Sequence, residues 1–233
     1  MNAAMRIAEN LNDVRSRIDA AAQRSGRLSS DICLIAVTKY VDEAITRMIF
    51  EAGARELGES RPQQLWDKAE AFQGDDVQWH LVGHLQRNKI RRTLPWKPLI
   101  HSVDRLETLQ AINRIAEELE LETQVLLEVN TSGDAAKDGL LAEQLPEVLE
   151  AAANLQHVQI HGLMTMAALD GGDDVARENF RDLRELRDNL LPSCPDNVSL
   201  TELSMGMSDD FEIAIEEGAT MIRVGSILFE GVT

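Results

Sequence analysis

Ile32-Cys33-Leu34-Ile35-Ala36-Val37-Thr38-Lys39 is an apolar run with the length and β-branched content of a buried strand, closed by a single cation. An ammonium in that place is costly unless it is paired, neutralised or used covalently. The stretch alone leaves two readings of Lys39 open: a lysine that has left the strand for solvent, or a desolvated amine of the kind that captures an aldehyde as a Schiff base. Alternation sets Cys33, Ile35, Val37 and Lys39 on one face, with Cys33 as a small core residue.

Outward from this run the chain keeps a strand-then-helix rhythm. The spacing predicts strands at about 32–39, 55–59, 77–82, 98–103, 123–130, 158–164, 199–204 and 220–225. Between them it predicts helices at about 42–53, 62–72, 87–93, 105–120, 140–154, 175–190 and 209–217. An amphipathic helix over 3–24, with Ile7, Leu11, Val14 and Ile18 on one side and Gly26 as a stop, precedes them all. Eight strands separated by helices make an α/β chain of the parallel (β/α)8 TIM barrel type, here with an extra N-terminal helix. Leu106, Leu109, Ile112, Ile115 and Leu119, and later Val175, Phe180, Leu183, Leu186 and Leu190, form stripes suited to packing on the outside of such a barrel. No linker or composition shift divides residues 1–233, which read as a single domain. An open dinucleotide-binding sheet lacks its signature, since neither G-x-G-x-x-G after the first strand nor a Walker-type G-x-x-x-x-G-K-[ST] is present.

A net charge of -17 over 233 residues speaks against nucleic acid or an anionic membrane as a general partner. The local exception is the basic segment Arg87, Lys89, Arg91, Arg92 and Lys97, a solvated helix face or an anion patch. Cys33 and Cys194 are far apart and outside any C-x-x-C spacing, so neither a disulfide framework nor a zinc knuckle is expected. Cys194, between Pro192 and Pro195, reads as a loop thiol. With no apolar signal core near Met1 and no long uninterrupted apolar stretch, a cytoplasmic location is expected. His80 and His84, four apart, have no third partner in sequence, and no metal site is expected from them.

In a (β/α)8 barrel the chemistry lies at the carboxyl ends of the strands, with phosphate commonly held after strands seven and eight. Those ends carry Ser204-Met205-Gly206-Met207-Ser208-Asp209-Asp210 and Arg223-Val224-Gly225-Ser226. Glycines, hydroxyls and helix-start amides form an anion cradle. Together with Lys39 and an arginine able to meet a pyridine nitrogen, they are the fittings for pyridoxal 5'-phosphate.

On these residues the chain resembles the pyridoxal phosphate homeostasis protein family over nearly its full length. The resemblance rests on Ala36-Val37-Thr38-Lys39, Gly58-Glu59, Trp79-His80 with Gly83, Gln86 with Asn88-Lys89, Asp104-Arg105, Val129-Asn130, Lys137 with Gly139, His161-Gly162-Leu163-Met164, Leu203 through Asp209, and Arg223-Val224-Gly225. It implies a barrel like the N-terminal domain of alanine racemase, without the second domain. It further implies Lys39 as the Schiff-base lysine, Ser204, Ser208, Gly225 and Ser226 around the phosphate, and Arg223 facing the pyridine nitrogen. Met164 is then a wall of the pocket, Ser60 and Met207 belong to the cofactor-binding set, and His161 is a packing residue. Ser60-Arg61 stand where the family pattern has Asn-Tyr, so a side-chain amide is missing there; His84 replaces a common proline.

The family resemblance implies a carrier that stores, buffers or delivers the cofactor, with cofactor-dependent apo-enzymes as recipients and a monomer as the expected state. A racemase needs two acid/base groups on opposite faces of the cofactor. The related racemases take the second from a tyrosine of their other domain, whereas here the only tyrosine is Tyr40, which points away from Lys39 if the strand continues. A guanidinium at the pyridine nitrogen also weakens the ring as an electron sink. Two alternatives remain: a cofactor-dependent racemase, and an aldolase barrel whose lysine attacks its substrate directly.

Overall fold

A computed structural model of the chain describes residues 2–134, 138–168 and 170–232; Lys137 lies outside them. The core of the opening run, Cys33–Val37, is β1, and the remaining strands are β2 (Glu56–Glu59), β3 (Gln78–Leu81), β4 (Leu99–Val103), β5 (Thr123–Glu128), β6 (Val158–Met164), β7 (Val198–Ser204) and β8 (Met221–Val224). They pair in chain order, all parallel, and close as a barrel by β1 pairing with β8, Ala36 opposite Val224. The barrel read from the sequence is therefore the architecture found.

The helices are α1 (Ala3–Arg24), α2 (Glu43–Glu51), α3 (Pro62–Ala71), α4 (Ile90–Thr93), α5 (Leu106–Glu118), α6 (Leu145–Ala152), α7 (Gly172–Leu190) and α8 (Phe211–Glu216). β8 is followed only by a short turn of 3-10 helix, Ser226–Phe229. α1 fills the outer position that this leaves open. It buries Ile7, Leu11, Val14 and Ile18, packs against α8, α2 and that final turn, and starts from Asn2, whose side chain accepts from the Met5 amide.

The expected helix over 87–93 is broken. A 3-10 turn over Arg87–Lys89 precedes the four residues of α4, and a second over Leu94–Trp96 follows. Pro95 cannot donate within a continuing helix, and Lys97 turns the chain at a φ of 50°. β1 also ends two residues short of Lys39. The Val41 amide bonds back to the Thr38 carbonyl at 3.1 Å, so Thr38–Val41 is a tight turn at the top of the strand.

Candidate functional site

That turn changes the surroundings of Lys39. Lys39 and Tyr40 occupy its two central positions, Lys39 half-buried and Tyr40 86% exposed, with the Lys39 ammonium 4.9 Å from the centre of the phenol ring. The expectation that Tyr40 points away from Lys39 required a continuing strand, and the turn overturns it. Beneath the turn, Thr38 is fully buried and donates from Oγ1 to Glu59 Oε1 at 2.5 Å. Lys68, from α3, reaches in with its ammonium 2.6 Å from the same carboxylate oxygen and 2.8 Å from the Thr38 carbonyl. Gln64, one helical turn earlier, donates to the Lys39 carbonyl at 3.3 Å. Two consecutive carbonyls of the lysine turn are thus fixed by side chains from one helix. A buried ion pair is costly to desolvate, so its value here is positional rather than stabilising.

Barrel closure brings the β7 and β8 ends to this turn. Ser208 is buried and its Oγ accepts from the Gly225 amide at 3.2 Å, tying the two loops together. Gly225 lies against β1, where a Cβ would stand 3.2 Å from the Val37 carbonyl. Gly206 has a φ of 90°, and a Cβ there would come within 2.5 Å of the Ala214 side chain. Only glycine allows the loop to turn so tightly onto α8. Met207 is half-buried, with its amide held by Asp210 Oδ1 at 2.6 Å, and Ser226 is exposed at the start of the last 3-10 turn. Ser60 is half-buried on the turn from β2 into α3, against Gly83.

Arg223 is 5% exposed and lies inside the barrel. Its Nη1 donates to Ser204 Oγ at 2.6 Å and its Nη2 to the Thr165 carbonyl at 2.9 Å. Burial lowers its pKa to about 10, against the opposing pull of Asp210 and Glu128, and it remains cationic at neutral pH. Met164 is fully buried at the end of β6, opposite Ser204 in the strand pairing. The Ser204 hydroxyl is thus engaged by both Arg223 and His101. His161 is half-buried and bonded to Gln159.

Beyond Ser204 the contacts continue. His101 Nδ1 is 2.9 Å from Ser204 Oγ, His101 Nε2 is 2.9 Å from His80 Nδ1, and His80 Nε2 is 2.7 Å from Glu56 Oε2. Arg223 can only donate and an ionised Glu56 can only accept. With neutral rings between them, one arrangement satisfies every contact: Ser204 donates to His101, His101 from Nε2 to His80, and His80 from Nε2 to Glu56. His101 is kept neutral because burial, then His80 and Arg223, hold its pKa well below 6.5. This row traverses the barrel interior from its N-terminal end to the arginine, and sequence spacing gave no hint of it. The available signal was two histidines on inward-facing strand positions.

His84 does not join His80. It is exposed, with Nδ1 3.6 Å from Asp104. Burial, then Glu56 and Glu202, pushes the Cys33 thiol up to about 12, so it is no nucleophile at neutral pH. In the basic segment Arg92 and Lys89 lie over the Trp66 ring, at 4.2 and 5.6 Å, and Arg91 pairs with Glu118. Among the described residues no helix is long and apolar enough to cross a membrane.

Residues 7–232 match the family model for the alanine racemase N-terminal domain. A pyridoxal phosphate homeostasis protein of Aquifex aeolicus (strain VF5) is 41% identical over 226 residues, 97% of this chain and 98% of the relative. The structure of PipY of Synechococcus elongatus PCC7942 with PLP bound superposes with a TM-score of 0.85 at 38% identity, covering 96% of this chain and 99% of that one. Alanine racemase of Clostridium difficile 630 shares the fold, with a TM-score of 0.73 at 18% identity over 94% of this chain and 55% of its own.

Proposed function

The chain belongs to the pyridoxal phosphate homeostasis protein family, and from that premise we propose that it binds pyridoxal 5'-phosphate at the carboxyl end of its barrel, tethered through Lys39, to store, buffer or deliver it. The observation that carries the reading is the closure of β1 on β8, which sets the Lys39 turn beside the Ser208–Gly225 tie. When bound, this cofactor supplies an aldehyde, a phosphate and a pyridine nitrogen. The donor set fits them: one primary amine on a braced turn, hydroxyls and amides of two joined loops, and a buried guanidinium.

Lys39 supplies the amine, and Lys68 and Gln64 fix the backbone from which it extends. Ser208, Gly225 and Ser226 bind the phosphate, with Met207 beside them. Met164 walls the base of the pocket, and Ser60 lines its β2 side. Arg223 faces the ring nitrogen. Two of its N–H groups are held by Ser204 and Thr165, which fixes the guanidinium plane and leaves other N–H groups to donate.

A carrier fits better than a catalyst. Arg223 remains a cation and opposes a proton on the ring nitrogen. Tyr40 stands on the same turn as Lys39 and so beside it, whereas racemisation needs acid/base groups on opposite faces. We further read residues 1–233 as one cofactor-binding unit, monomeric in solution, that hands its cargo to dependent apo-enzymes.

The test is an absorption spectrum of the purified chain with added pyridoxal 5'-phosphate, before and after borohydride, followed by peptide mapping. A near-visible band fixed by borohydride onto the Lys39 peptide, absent in Lys39→Ala, is expected. Label on another lysine overturns the tether. Racemisation of a free amino acid at a useful rate, lost in Lys39→Ala, overturns the carrier.

A further inference from the structure

At the opposite, N-terminal end of the barrel, donor atoms of Cys33, Glu56 and His80 lie within 4.8 Å of one another. They come from three successive strands: Cys33 opens β1, Glu56 opens β2, and His80 is on β3 opposite Gly58. We propose that Cys33, Glu56 and His80 form a binding site for a divalent cation of the zinc class, distinct from the cofactor mouth.

The donor set selects the ion. A thiolate, an imidazole and a carboxylate are the ligands of zinc and its neighbours, while magnesium and calcium prefer oxygen alone. Three protein ligands leave a fourth tetrahedral position for water. Zinc bonds of about 2.0–2.3 Å put tetrahedral ligand atoms roughly 3.2–3.8 Å apart. His80 and Glu56 are 2.7 Å apart and all the ligand atoms lie within 4.8 Å of one another, limits that include that range. Small side-chain rotations reach it.

The site is also braced and accessible. His80 is 3% exposed, and its second ring nitrogen is held by His101, the outer hydrogen bond that orients a ligating imidazole. Cys33 and Glu56 are only half-buried, which gives an ion a route in. Glu202 bears on the thiol as well and adds to the negative field. On binding, the ion exchanges water for Sγ, Nε2 and a carboxylate oxygen, and the thiol proton goes to solvent. The histidine protons change ring nitrogens along the row without net loss, so one proton leaves per ion.

The test titrates Zn2+ into the full-length chain against a chromophoric chelator, with Co2+ on the Lys39→Ala chain as a probe free of the cofactor band. One ion per chain is expected, with a sulfur-to-cobalt charge-transfer band and no competition from excess Mg2+. Cys33→Ser and Glu56→Gln should each weaken binding at least tenfold, and Cys194→Ser should leave it unchanged. Glu56→Gln keeps an acceptor for His80, so it tests the site even if the serine variant folds poorly. Absence of stoichiometric binding, binding that survives either Cys33→Ser or Glu56→Gln, or binding lost in Cys194→Ser overturns the site.

Discussion

The Lys68 ammonium donates to the Thr38 carbonyl at 2.8 Å, so the helix that follows β2 holds the turn that presents Lys39. The same ammonium neutralises Glu59, whose side chain has no exposure at all. Lys68→Met strands that carboxylate and releases the turn. A loss of about 3–5 kcal/mol in urea denaturation is expected. Adding Glu59→Gln should restore part of it, while pyridoxal 5'-phosphate binding stays weakened because the Thr38 carbonyl has lost its donor. Full recovery of binding in the double variant would show that Lys68 matters only as a counter-charge.

Ser204→Ala removes the oxygen shared by Arg223 and His101. Both partners are buried, and each loses a hydrogen bond. A destabilisation of about 1–3 kcal/mol is expected by chemical denaturation. Cofactor affinity should fall with it, since the guanidinium plane has then lost its Ser204 anchor.

Gly206→Ala places a methyl 2.5 Å from the Ala214 Cβ and 2.9 Å from the Phe211 Cα, at a φ that L-residues rarely adopt. The clash is with backbone as well as side chain, so it is not relieved by a rotamer change. Thermal melting should show a loss of more than about 1 kcal/mol, and the Ser208–Gly225 tie should loosen with it.

Glu128, buried at the end of β5, has a pKa raised to about 7 by desolvation, then by Asp104 and Asp138, with Arg223 opposing. The folded chain holds this proton more tightly than the unfolded one, so the shift destabilises the fold progressively as pH rises from about 4.5 to about 7. Glu128→Gln should be more stable than the parent above pH 7, by up to about 3 kcal/mol, with the difference closing below pH 4.5. Denaturation midpoints measured from pH 4 to 8 give the comparison, and a constant difference across that range would assign the effect to packing.

The barrel was legible because its signals are local. Strand runs such as 158–164 and helical stripes such as Leu109, Ile112 and Ile115 announce themselves within one window. The termination of β1 at Val37 was not, because it depends on Glu59 and Lys68, which reach Thr38 only after β2 and α3 have packed. The row through His80 and His101 was hidden for the same reason, since its partners lie up to 103 residues apart. The strand-to-loop placement of His80 and His84 was legible, since β3 ends at Leu81 and His84 falls on the loop that follows. Of the candidate site, the β7 and β8 loops could be read from composition; the bracing of Lys39 and the anchoring of Arg223 required the fold.

Two imidazoles in series between a fixed donor and a fixed acceptor have a direction, and the direction belongs to the whole row. While Glu56 accepts at the base, every proton points toward it. A cation on His80 Nε2 obliges His80 to donate to His101 and His101 to donate to Ser204, which then turns its own proton elsewhere. The row is thus a single binary element, set at one end and legible at the other as the direction of the Ser204 hydroxyl proton, with Arg223 donating to Ser204 in both settings.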